Sequence, residues 1–188
     1  MRAYAGIGSR ATPSDVLEHM RKLGKFLARQ GFVLRSGGAK GADTAFEVGC
    51  DEVGGVKRIF LPWKGFNNHP SELYGSTKGA REIAKKYHPA WDFLLPVARD
   101  FMGRNTYQIL DLDLNTPAEF VCCWTRNGEI DGGTGQALRI ANDLGIPVIN
   151  FGCMSLPEID LKIRELIQCS IPKPSGASDA NVSIPSKI

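Results

Sequence analysis

Three glycine-rich segments each follow a short apolar run and precede a helical pattern: Gly6-Ile7-Gly8-Ser9-Arg10, Ser36-Gly37-Gly38-Ala39-Lys40-Gly41-Ala42-Asp43 and Asp131-Gly132-Gly133-Thr134-Gly135-Gln136. No other feature constrains the chain as much. When strands alternate with helices the sheet is parallel, and every strand-to-helix loop then lies at the same sheet edge. One such loop alone is equally well a tight turn; three at matching topological positions converge on a single crevice. Glycine lets backbone N–H groups approach an anion without side-chain clash. The helix that follows adds unsatisfied donors and the positive end of its dipole. Ser9, Ser36 and Thr134 supply hydroxyls there, and Arg10 a charge.

The spacing of apolar residues fills in the rest. A strand over Arg2 to Ile7 leads to a helix in which Val16, Met20, Leu23 and Leu27 recur at helical spacing, with Ser14 as its expected cap. Phe32-Val33-Leu34 is a second strand, residues 42–53 a second helix and residues 56–61 a third strand. Residues 62–78 form a long loop rich in Asn, Pro and Gly, read as a lid or ligand wall. Helical patterns cover roughly 77–88 and 96–110. Phe120-Val121-Cys122-Cys123-Trp124 is a buried strand, the third glycine segment opens another helix, and residues 147–150 form a further strand. A last amphipathic helix uses Ile159, Ile163, Leu166 and Ile167. The expected fold is α/β: a Rossmann-like parallel sheet flanked by helices on both faces, in one domain over residues 1–169, with a loosely held tail over 170–188.

Composition excludes several classes. The formal net charge of +3, with the basic residues dispersed, is too weak to argue for nucleic acid by itself. The five cysteines include no C-x-x-C pair and are odd in number, so neither a zinc site nor a disulfide framework is expected. No apolar stretch approaches the ~20 residues that span a bilayer, and the N-terminus enters directly into a strand. These features point to a cytoplasmic protein with no metal and no cofactor. The segments lack G-x-x-x-x-G-K-[ST], and Ala11 stands where a dinucleotide fingerprint needs its third glycine, so neither phosphate motif is present.

The run Gly6-Ile7-Gly8-Ser9-Arg10-Ala11-Thr12-Pro13, followed after a helix by Arg35-Ser36-Gly37-Gly38-Ala39-Lys40-Gly41-Ala42-Asp43, resembles the opening of DprA/Smf proteins. Arg104-Asn105 is similar to their mid-chain Arg-Asn pair, and Gly132 to Gly135 fall at the last ligand loop of the wider SLOG superfamily. The resemblance covers residues 2–152. It implies a nucleotide-like ligand, single-stranded DNA as an alternative partner, and self-association as a homodimer or higher oligomer. It also implies a possible enzyme class, because LOG-type relatives cleave N-glycosidic bonds with the glutamate of G-G-x-G-T-x-x-E. In this chain Gln136 stands at the threonine and Arg139 at the glutamate. A cationic side chain cannot serve as that general base.

Residue by residue, phosphate is expected over Gly8, Ser9 and Arg10 and over Ser36, Gly37, Gly38, Ala39 and Gly41, with Gly132, Gly133, Thr134 and Gln136 on the opposite side. Asp43 is expected to take a ribose hydroxyl, and Arg104-Asn105 or Trp124 to meet the base. Asp43, Glu47 and Asp131 are the candidate general bases; the alternatives are stabilisation of the helix N-terminus for Asp43, a solvated position for Glu47 and a turn position for Asp131. Three functions remain open from sequence: a sensor or sequestering protein without turnover, a nucleotide N-glycosidase, and a single-stranded DNA binder.

Overall fold

The computed structural model describes residues 2–169; the expected tail at 170–188 lies outside the described residues. Five strands form one parallel sheet: β1 (Ala3–Gly8), β2 (Val33–Ser36), β3 (Lys57–Ile59), β4 (Phe120–Trp124) and β5 (Val148–Asn150). Their order is β3-β2-β1-β4-β5. The chain therefore winds outward from β1 in one direction, returns, and winds outward from β4 in the other. Between β1 and β4 the connections diverge to opposite faces, and ligands of open α/β sheets bind at that switch point.

The helices are α1 (Ser14–Arg29), α2 (Ala42–Asp51), α3 (Lys78–Tyr87), α4 (Pro96–Leu110), α5 (Gly132–Asp143) and α6 (Leu156–Cys169). Alternation along the strands sorts them to two faces. Tyr4, Leu34, Phe120, Cys122 and Ile149 point to one face, against Met20, Leu23 and Leu27 of α1, Phe46 of α2, and Ile159 and Ile163 of α6. Ala5, Ile7, Val121 and Cys123 point to the other, against Ile109 of α4 and Ala137, Leu138, Ile140 and Ala141 of α5. α3 packs over α4: the Thr106 hydroxyl donates to the Ala80 carbonyl at 3.2 Å, and the Tyr107 hydroxyl bonds Thr77, whose side chain caps α3.

α1 and α2 cross closely because both present glycine at the contact. A Cβ at Gly24 would lie 2.6 Å from the Phe46 carbonyl oxygen, and one at Gly49 only 1.9 Å from that of Arg21. Three local expectations change. Pro13, not Ser14, takes the cap position of α1 and offers no side-chain bond. α2 ends at Asp51 rather than residue 53. β3 is three residues long, and Leu61 instead pairs with Tyr74 across the 62–78 loop. Arg35, within the second glycine motif, serves the scaffold: buried on β2, it pairs with Asp111 at 2.9 Å and donates to Thr116 O at 2.7 Å, tying β2 to the end of α4. No helix among the described residues is long and apolar enough to cross a membrane.

Candidate functional site

At the carboxyl ends of β1 and β4 the structure opens a crevice of about 670 Å3, within the range of small-molecule sites. The first glycine segment reaches it through Gly8, Ser9 and Arg10, the second through Ala39 and Asp43, and the third through Asp131, Gly132, Gly133 and Thr134. α4 lines one wall with Phe101, Arg104, Asn105 and Gln108; Trp124, the last residue of β4, and Arg126 beyond it line another.

Asp43 organises the floor. It is 3% exposed, and its carboxylate accepts hydrogen bonds from the N–H groups of Gly8 (3.2 Å), Gly37 (3.1 Å) and Ala39 (3.4 Å). Two glycine segments are thus held by one side chain, and the donors expected to cradle phosphate at Gly37 and Ala39 are engaged by the protein itself. Burial pushes the Asp43 carboxyl up to about 6, against the Arg104 charge and the three N–H groups, which pull it down. The folded state then binds a proton that the unfolded state releases between about pH 4 and pH 6, so stability falls as pH rises through that window. Relative to Asp43→Asn, which does not titrate, the wild type is expected to lose about 2 kcal/mol between pH 4 and pH 7. Urea denaturation at each pH measures this; a difference that does not change with pH would contradict it.

Arg104 lies across from Asp43, 5% exposed, with its Nη1 3.8 Å from Oδ2. Burial lowers its basicity while Asp43 supports it. Nη1 also approaches Phe60 O at 3.4 Å, and Nε has no hydrogen-bond partner among the described residues. Gln108, one turn further along α4, joins the network. With its amide oxygen facing Arg104 Nη1 (3.3 Å) and Gly37 N (3.1 Å), its nitrogen donates to Asn105 Oδ1 at 3.2 Å. Asn105 Nδ2 donates in turn to Gly133 O at 2.8 Å. One helix therefore links the second and third glycine segments through buried amides.

α5 begins at Gly132, and its first intrahelical bond runs from Gly135 N to Asp131 O. The N–H groups of Gly132, Gly133 and Thr134, which line the crevice, precede that bond and have no backbone acceptor in the helix. Arg10 and Arg126 stand exposed at the rim, with no carboxylate partner among the described residues. Glu129 and Asp131 bring negative charge to the α5 side.

Several sequence candidates lie elsewhere. Glu47, one turn beyond Asp43, bonds Lys57 at 2.7 Å and His69 at 2.8 Å away from the crevice lining. The Ser36 hydroxyl donates to Gly6 O. Gln136 is fully buried, its amide donating to Ala84 O and accepting from Arg139. Gly37, Gly38 and Gly41 shape the second loop without lining the crevice. His69 has both ring nitrogens engaged, Nδ1 accepting from Ser71 N and Nε2 directed to Glu47, which anchors the 62–78 loop. Trp63 in that loop packs on Phe66 and Phe101. Sequence reasoning missed Phe101, Gln108, Arg126 and Glu129. The position of Gln108, four residues after Arg104 on one helix face, was the available signal. Arg126 and Glu129 sit in an irregular turn that carries none.

A parallel sheet ordered 3-2-1-4-5, with glycine loops gathered at its switch point, defines a Rossmann-like ligand-binding domain. The profile of the SLOG cluster 4 family matches residues 4–114, and the chain belongs to that family. Among solved structures it is similar to DNA processing protein A from Helicobacter pylori, studied for its single-stranded DNA binding mode, at 22% identity and TM-score 0.54, over 87% of this chain and 72% of that one. It is also similar to the Moco carrier protein of Chlamydomonas rheinhardtii, at 16% identity and TM-score 0.55, over 89% and 99%. DNA processing protein A from Streptococcus pneumoniae gives 19% and 0.52, over 90% of this chain and 56% of that one. At these identities the likeness concerns the fold. No curated protein matches the sequence.

Proposed function

We propose that the crevice binds a nucleotide or nucleotide-derived small molecule and that the protein acts as a sensor or sequestering protein without turnover. The observation that carries this reading is the convergence of Arg10, Arg104, Arg126 and the open N-terminus of α5 on one crevice beside Trp124 and Phe101. Cations and helix donors suit phosphate; the two aromatic side chains suit a base. The absence of turnover is supported by Arg139, whose guanidinium bonds Tyr87 O, Ile130 O and Gln136, where LOG-type relatives carry a glutamate. Asp43, held by three N–H groups, is poorly placed to accept a substrate proton. Asp131 is the remaining crevice carboxylate among the sequence candidates, so N-glycosidic cleavage lost in Asp131→Asn would revive the hydrolase reading.

A thermal-shift series with ADP-ribose, NAD, AMP and a thymidine oligomer tests the proposal. Saturation at 100 times Kd adds about 2.7 kcal/mol, a shift of several degrees. Arg10→Ala and Arg126→Ala are each expected to reduce the shift given by the small ligand. If only the oligomer shifts the midpoint, the single-stranded DNA reading, favoured by the resemblance to DNA processing protein A, replaces it. Affinity that falls steeply with salt would mark that outcome. Cys50, Cys122, Cys123 and Cys153 are unpaired, which suits the reducing cytoplasm in which we place the protein. A homodimer or larger assembly is part of the proposal, and sedimentation at micromolar concentration decides it.

A further inference from the structure

Asp43 and Arg104 both line the crevice, yet they do not form a close pair. Their 3.8 Å separation exceeds the 2.7–2.9 Å of a charge-assisted hydrogen bond. The carboxylate is satisfied by backbone instead, with Gly8, Gly37 and Ala39 donating to it. Arg104 is left with an unpartnered, buried Nε and with neutral oxygens of Phe60 and Gln108 near Nη1. A ligand anion that settles against Arg104 therefore brings a second negative charge to a buried guanidinium that already faces one. Two anions cannot both stay ionised cheaply on one cation in a dry site; the usual resolution is that one takes a proton.

We propose that binding of an anion in the crevice is coupled to uptake of one proton by Asp43, so that the charge of Arg104 passes from Asp43 to the ligand. The inference rests on the crevice being the ligand site. The proton comes from solvent and stays on the carboxyl group, and no bond to the ligand forms or breaks. Burial holds the free carboxyl at about 6, so the step demands little near neutral pH. The other charges around Asp43 do not remove the coupling. Arg10, from the β1 loop, adds positive charge near Arg104 and is exposed to solvent. Glu47, on the same helix, is tied to Lys57 and His69. Lys40 of the second loop is exposed, and Glu129 and Asp131 belong to the α5 side of the crevice.

The sign follows from linkage. A bound anion raises the Asp43 carboxyl above its free value of about 6. Affinity is then constant at lower pH and falls, by at most tenfold per pH unit, as pH rises through the window between free and bound values. Sulfate is the probe, because its charge is constant there. Calorimetry at fixed ionic strength is expected to show sulfate binding roughly tenfold more tightly near pH 5.5 than near pH 8. In two buffers of different ionisation enthalpy, the heats should report proton uptake around pH 7. Asp43→Asn is expected to bind with a flat pH profile, whereas a variant that keeps the wild-type slope overturns the proposal. If that variant does not fold, the carboxyl 13C resonance of Asp43 in the wild type decides instead, and its titration must move upward when sulfate is added. Sulfate that binds with flat affinity and no proton uptake sinks the coupling and leaves the ligand site standing. Sulfate that does not bind at any pH removes both.

Discussion

Gly37→Ala is expected to weaken anion binding in the crevice roughly 10- to 100-fold while leaving a folded, less stable protein. A Cβ at this position would lie 1.2 Å from Arg104 Nη1 and 2.5 Å from the Gln108 amide nitrogen. The new methyl and the guanidinium cannot share that space, and the guanidinium, at the end of a flexible stem, is the group that yields. Displacing it removes the buried cation from the crevice wall and breaks the link from Gly37 through Gln108 to Asn105. Losing charge-assisted hydrogen bonds of this kind costs about 1.5–3 kcal/mol, roughly 10- to 100-fold in affinity. Overpacking adds about 1–3 kcal/mol of lost stability. Gly133→Ala is the control for stability, since its Cβ would meet only Asn105 Nδ2, at an ordinary 3.7 Å. Sulfate or ADP-ribose calorimetry on both variants checks the result, and wild-type affinity in Gly37→Ala would show that Arg104 does not contact the ligand.

The largest effect on stability is expected at the other side of α2. In Gly49→Ala the added carbon would sit 1.9 Å from the Arg21 carbonyl oxygen and 2.9 Å from Lys25 N. Both are backbone atoms within a helix, so neither can rotate away, and α1 and α2 must separate along the contact that buries Leu23, Leu27 and Phe46. The expected loss is about 3 kcal/mol, at the upper end for overpacking, or roughly 10 °C in a domain of this size. Thermal unfolding measures it. Because the crevice lies at the sheet edge, the folded fraction should bind sulfate as the wild type does.

The regular elements were legible because their signals are local. Val16, Met20, Leu23 and Leu27 mark α1, and the five-residue run Phe120–Trp124 marks β4, whatever the rest of the chain does. The convergence of Gly8, Asp43 and Gly132–Thr134 was legible for a topological reason, since parallel strands leave their following loops no other edge. What escaped depends on partners distant in sequence. Nothing near Asp43 says that its oxygens will meet N–H groups 35 residues upstream at Gly8 and in its own preceding loop at once. The pairing of Glu47 with Lys57 and His69 requires the third strand and the long loop to be in place. Gln136 follows the glycine run in sequence, yet the turn of α5 carries its amide away from the crevice to Ala84. Thr106 and Gln108 of α4 carry no sign in the sequence of the burial they share with Arg104 and Asn105 once α3, the second loop and α5 enclose the helix.

The attachment of Gly8, Gly37 and Ala39 to a single carboxylate has a kinetic consequence. Loops that must be ordered by a ligand slow capture and subtract from affinity, because their conformational freedom is surrendered at the moment of binding. Here much of that entropy is lost during folding, and the walls of the crevice stand in place before any ligand arrives. Capture should then be limited by diffusional encounter, quickened by the rim charges of Arg10 and Arg126, and the lifetime of the complex should be set by how readily the ligand leaves Arg104.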